Sequence, residues 1–155
     1  HHAFRLRGIL PEMCGMCIDG VIKPDLPFRD YEKNYKTIAL KYDLRVIMLI
    51  TPETDEKRIR EIDAHTDGFI YMVSSAATTG AQKDFDNRKQ AYFKKIQDMN
   101  LHNPRMVGFG ISNKQTFDAA CSHASGAIIG SRFVTLLNKY KGDAQQAITH
   151  LKEDL

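Results

Sequence analysis

Two stretches of the chain have the residue types and spacing to hold an anion. They are Arg105-Met-Val-Gly-Phe-Gly-Ile-Ser-Asn113 and Gly126-Ala-Ile-Ile-Gly-Ser131. In each, a short apolar run ends in glycine and serine just where a helical pattern begins. Glycine places no side chain between backbone and ligand. The helix start adds unpaired N–H groups and the positive end of the helix dipole. Two such turns side by side would form a cradle of main-chain amides for one phosphate, the arrangement found after the last two strands of parallel barrels. Taken singly, Gly110, Gly130 and Ser131 are ordinary turn and capping residues. The pair of turns, together with the loop at Thr79-Gly80, favours an anion site.

Other reactive residues carry less. Cys14-Gly-Met-Cys17 has the spacing of a metal or redox pair. A structural zinc needs four ligands, however, and only distant Cys121 and scattered histidines could complete the set. A redox pair would sit at a helix start after a strand, which the flanking residues do not offer. The two cysteines therefore read as buried thiols of a helix, and no metal site is expected. Asp25, flanked by Pro24 and Pro27, could act as a general acid or base but more simply caps the helix beginning at Phe28. Tyr71 alternates along a strand, which fits core packing and ligand contact equally. Lys83, Arg88, Lys89, Lys94 and Lys95 read as a solvated helix face.

Composition narrows the class. The chain has 155 residues, 43% of them hydrophobic and 26% charged, as in an ordinary globular domain. A formal charge of +3, spread along the chain, gives no footprint for nucleic acid. No apolar run approaches the roughly 20 residues that span a bilayer. His1-His2-Ala3 lacks a signal-peptide layout and reads as a tag remnant. An odd cysteine count of 3 without a secretory signal points to reduced thiols and a cytoplasmic setting.

The elements that must position the glycines follow a βα rhythm. Gly20-Val21-Ile22 starts a strand, and a helix follows with Phe28, Tyr31, Tyr35, Ile38, Ala39 and Tyr42 on one face. Arg45 to Ile50 reads as one continuous strand buried on both faces. A helix carries Ile59 and Ile62, with Asp55 and Glu56 in its first turn. Phe69 to Val73 is the next strand, and Ser74 to Asp84 a long polar loop. The helix after it turns Phe85, Tyr92, Ile96 and Met99 inward. Ser112 with Gln115 reads as a capping box for a helix burying Phe117, Ala120, Cys121 and Ala124. The second glycine turn leads into a helix from Ser131. Gly142-Asp143 then restarts a last amphipathic helix with Ala144, Ala147, Ile148 and Leu151. Alternation of this kind calls for a parallel sheet with right-handed crossovers. Residues 18–155 form that domain, and residues 1–17 a separate, less regular segment.

Asp19-Gly-Val-Ile-Lys-Pro-Asp-Leu-Pro27, Ile50-Thr-Pro52, Gly68-Phe-Ile-Tyr-Met-Val-Ser74 with Thr79-Gly80-Ala81, Val107-Gly-Phe-Gly-Ile-Ser112 and Gly126-Ala-Ile-Ile-Gly-Ser131 resemble the tryptophan synthase alpha chain family. The resemblance runs from about Cys17, in order and with the family's spacing, while residues 1–17 match poorly. It implies a (β/α)8 TIM-barrel fold that cleaves indole-3-glycerol phosphate to indole and glyceraldehyde 3-phosphate. Indole then passes through a tunnel to a beta chain, which carries the pyridoxal phosphate; the alpha chain itself has no cofactor. The resemblance implies that Gly80, Phe109, Gly110, Gly130 and Ser131 hold the substrate phosphate. Tyr71 would lie beside the indole, and Thr79 would belong to the mobile loop over the site. Asp25, Leu26, Pro27 and Phe28 would face the beta chain. A full barrel takes about 250 residues, and this chain supplies the last five βα units. The family's catalytic Glu and Asp fall outside those units, so the lyase reading comes with no catalytic carboxylate in this stretch. The alternative is a non-catalytic phosphate-binding module that self-associates through the open edges of its sheet.

Overall fold

The computed structural model describes residues 18–22, 27–73, 82–108 and 110–155. Strand β1 (Gly20–Ile22) is followed by helix α1. That helix starts as Phe28–Asp30, widens into a π-helical turn over Tyr31–Tyr35 and closes over Lys36–Lys41. Then come β2 (Arg45–Ile47), β3 (Leu49–Ile50), α2 (Glu56–His65), β4 (Ile70–Val73), α3 (Gln82–Asp98), β5 (Arg105–Gly108), α4 (Lys114–Cys121), β6 (Gly126–Ile128), α5 (Ser131–Lys139) and α6 (Ala144–Glu153). All pairings are parallel, in the order β1-β2 and β3-β4-β5-β6. The expected single strand Arg45–Ile50 is interrupted at Met48. Its first half pairs with β1 and its second with β4, and the Met48 carbonyl still accepts from the Tyr71 amide at 3.0 Å.

A core with helices on one side and strands on the other follows from the sequence pattern. Ile50, Ile70, Met72 and Val107 from the strands are fully buried against Ile59, Ile62, Phe93, Ile96 and Ala120 from the helices. Phe93 was not anticipated on the inner face of α3, yet it is among the most buried side chains. The side chain of Phe85 lies outside the described residues. Three residues expected inside are outside. Cys121 and Ala144 are exposed, and Ile148 keeps 44% of its surface. The buried contacts of these helices are made by Ala120 and Ala147 instead.

Caps fix the helix starts. Asp55 is the N-cap of α2 and accepts from the Arg58 amide at 2.8 Å. The capping box of α4 is Asn113 with Thr116, one residue beyond the expected Ser112 and Gln115. The Asn113 side chain accepts from the Thr116 amide at 3.0 Å, and the Thr116 hydroxyl accepts from the Asn113 amide at 3.2 Å. Thr replaces the usual Glu or Gln in the return bond. Asp143 caps α6, accepting from the Gln146 amide at 3.1 Å. Lys141, with φ of 53°, is the left-handed residue that ends α5; its amide donates to the Asn138 carbonyl at 3.2 Å and that of Gly142 to the Leu137 carbonyl at 2.8 Å, and α6 then folds back on α5.

One clamp links α2 to the turn before β5. The Asp63 carboxylate accepts from the His102 amide at 2.7 Å, from the Asn103 amide at 2.9 Å and from the Asn103 side-chain amide at 2.9 Å. Burial alone would push this carboxyl up. The bonds from Asn103 and His102, with the neighbouring His102 ring, outweigh it and hold the group below the ordinary range.

Candidate functional site

Strand register brings the two glycine turns together. Gly108 pairs with Ile128 across β5 and β6. Two residues beyond each partner lie Gly110 and Gly130, so both turns emerge side by side at the carboxyl ends of adjacent strands. A cavity of ≈ 440 Å³ opens there, lined by Tyr71, Gly110, Ser112, Gly130, Ser131 and Arg132 among others.

The two helix starts beside the cavity differ. At α4 the Thr116 hydroxyl already takes the amides of Ser112 and Asn113, at 3.1 and 3.2 Å. At α5 the N-cap is Gly130, and no side chain caps the helix. Its first-turn amides, beyond reach of any intrahelical carbonyl, are left for solvent or a ligand. A Cβ at Gly130 would meet no atom within 4 Å, so the space in front of this backbone is open.

The glycines of the first turn serve other ends than bare approach. A Cβ on Gly108 would fall on the hydroxyl and ring of Tyr71. The absent side chain there makes room for the tyrosine, which crosses β5 from β4. Gly110 has φ of 73°, in the left-handed region that favours glycine, and so turns the chain toward α4. Tyr71 is both a core residue and a wall of the cavity: it is 9% exposed, and burial raises its phenol above the ordinary tyrosine range.

Arg132 is a lining residue that sequence reasoning missed, because its carboxylate partner lies a whole helical hairpin away. Its Nε and Nη2 donate to Asp154 Oδ2 at 3.0 and 2.5 Å. Lys114 reaches the same chain end, donating to the Leu155 carbonyl at 3.2 Å and to Asp118 at 3.3 Å. The last residues are thereby tied to the starts of both α4 and α5.

Of the site residues read from the sequence, Tyr71, Gly110, Gly130 and Ser131 surround this one cavity. Thr79, Gly80 and Phe109 lie outside the described residues, as do Asp25, Leu26, Cys14 and Cys17. Phe28 does not face outward. It is 6% exposed, with the His65 ring tilted against it at 4.7 Å and the Arg58 guanidinium over it at 5.0 Å. Its place in the core leaves Pro27, the exposed N-cap of α1, as the surface residue of that stretch within the described region. Among the described residues no cluster of three or more His, Cys, Asp or Glu is disposed to hold a metal, and no helix is long and apolar enough to cross a membrane.

Parallel strands in chain order, helices between them and a cavity at the strands' carboxyl ends define part of a TIM-barrel-type α/β protein. The family model of the tryptophan synthase alpha chain matches residues 8–155, and the chain belongs to that family. The match begins ahead of Cys17, so part of the N-terminal segment also fits the family. The tryptophan synthase alpha chain of Bacteroides thetaiotaomicron is 73% identical over 142 residues, which make up 92% of this chain and 54% of that protein. That of Parabacteroides distasonis is 62% identical, over 93% of this chain and 57% of that protein. The chain thus spans about half the length of the curated relatives it matches. Among solved structures, tryptophan synthase subunit alpha from Campylobacter jejuni superposes with a TM-score of 0.73 at 26% identity, over 97% of this chain and 59% of that one.

Proposed function

We propose that this chain supplies the phosphate-holding part of a lyase of tryptophan biosynthesis, one that cleaves indole-3-glycerol phosphate to indole and glyceraldehyde 3-phosphate. The observation that carries the reading is the adjacency of Gly110 and Gly130-Ser131 at neighbouring strand exits, around one cavity. The first-turn amides of α5 and the amide at Gly110 grip the dianion, and the dipole of α5 adds to the attraction. Gly80 and Phe109 complete the grip by family resemblance. Tyr71, fixed across Gly108, forms the apolar wall against which the indole ring rests. By the same resemblance, Thr79 is assigned to the family's loop over the site.

Cleavage of the carbon–carbon bond requires a proton delivered to the indole ring and another removed from the glycerol hydroxyl, which is work for carboxylates within hydrogen-bond reach. No Asp or Glu lines the cavity among the described residues. The residues here bind and orient, and the proton transfers are assigned to the family's Glu and Asp outside these five units. A solved tryptophan synthase complex from Pyrococcus furiosus, 23% identical, shares the fold. The family resemblance assigns a beta chain as partner, with Asp25, Leu26 and Pro27 toward it and pyridoxal phosphate held by that partner.

Calorimetric titration with glycerol 3-phosphate tests the grip. Gly130→Val should abolish binding, because the added methyls enter the open space before the α5 amides. Loss of a good N-cap should cost only about 1 kcal/mol of stability. Unchanged affinity would place the anion elsewhere. The 155-residue polypeptide alone should release no indole from indole-3-glycerol phosphate; measurable turnover would overturn the assignment of proton transfer to residues outside it.

A further inference from the structure

We propose that Arg132 is a side-chain arm of the anion grip, adding a formal positive charge to a site otherwise built from main-chain amides. The inference rests on the phosphate reading above and identifies a specificity-determining residue within it. Arg132 occupies the second position of α5 and is among the residues lining the same cavity as Gly130 and Ser131. A helix start is an unfavourable place for a cation, because the dipole already makes it positive. The first turn of α5 contains no acidic residue and has no side-chain cap. Helical side chains slant toward the N-terminus, so the guanidinium is carried toward the uncapped amides and not away from them.

Among the described residues, the compensation is Asp154. It engages one edge of the guanidinium, through Nε and Nη2, and both side chains stay about one-third exposed, at 35% and 36%. A single carboxylate balances the arginine but not the helix end beside it. The excess positive field at this spot suits a doubly charged ligand, and the remaining donors of the planar fork suit phosphate oxygens. Backbone amides alone bind through dipoles. A guanidinium makes the grip favour the phosphate dianion over the monoanion and makes affinity sensitive to salt.

The test is titration of the 155-residue chain with inorganic phosphate and with glycerol 3-phosphate, at low and high salt and on both sides of the second phosphate ionisation. Arg132→Gln should weaken binding about tenfold, the size of one charge-assisted hydrogen bond, and flatten both the salt and pH dependence. Arg132→Lys should recover the salt dependence and part of the affinity. Asp154→Asn breaks the same ion pair but keeps the arginine, so it should bind at least as tightly as the parent chain. If Asp154→Asn weakens binding as much as Arg132→Gln, the arginine acts only by holding α6 and the proposal is overturned. If Arg132→Gln binds like the parent while Gly130→Val does not, the proposal fails and the amide grip stands. If neither variant changes binding, the phosphate reading fails with it.

Discussion

Gly108 shows how one missing side chain can be decisive without touching a ligand. The Tyr71 phenol lies where a Cβ at Gly108 would be. The pairing of Tyr71 with Met106, two residues before Gly108, sets the ring diagonally across β5. Gly108→Ala should therefore displace the tyrosine, at a cost of about 1–3 kcal/mol for overpacking a filled site. In the Tyr71→Val background the same substitution should cost far less, because the obstructing ring is gone. Urea unfolding of the two single variants and the double variant measures the coupling; strictly additive losses would mean that Gly108 is needed for a reason other than the tyrosine. The sequence made the glycine visible but not its use. A Gly-x-Gly at a strand end reads as room for a ligand, and only the register shows a side chain from the neighbouring strand filling the first position.

At the scale of elements, the sequence disclosed what period and local chemistry determine. The strands, the helices and the inward faces at Ile59, Ile62, Tyr92 and Ile96 follow from alternation and helical spacing. It misplaced what depends on a single residue: the interruption at Met48, the π-helical turn at Tyr31–Tyr35 and the choice of Asn113 over Ser112 as cap. Long-range bonds leave no local trace, and the Asp63 clamp is the clearest case, since its partners lie 39 and 40 residues on. Because these bonds select the carboxylate, the folded-state value is depressed. The stability they give is fully present above the ordinary aspartate range near pH ~4 and is lost as pH falls through the lower folded value. Asp63→Ala should cost about 1–2 kcal/mol at neutral pH and leave a flatter stability profile under acid. Urea midpoints from pH 7 down to about pH 3 check this. The clamp has no such role if parent and variant lose equal stability on acidification.

On the scale of the whole molecule, the sheet determines how the chain behaves in solution. β1 pairs only with β2 and β6 only with β5 among the described strands, so each presents a row of backbone groups without a strand beside it. Ile22, at the end of β1, keeps 43% of its surface and borders a shallow apolar depression with Ile47 and Phe69. Pairing with another chain satisfies such an edge and covers such a depression, and a second copy of this polypeptide is always at hand. The 155-residue chain should therefore associate as its concentration rises, with sedimentation velocity showing a growing weight-average mass. Ile22→Lys places a charge on the edge, a device native sheets use against such pairing, and should shift association to several-fold higher concentration. The residue already keeps 43% of its surface exposed, so the substitution should change the unfolding midpoint little compared with its effect on association. A parent chain that sediments as a monomer at every concentration would show that the edges are covered from within, and the self-associating module would then be excluded.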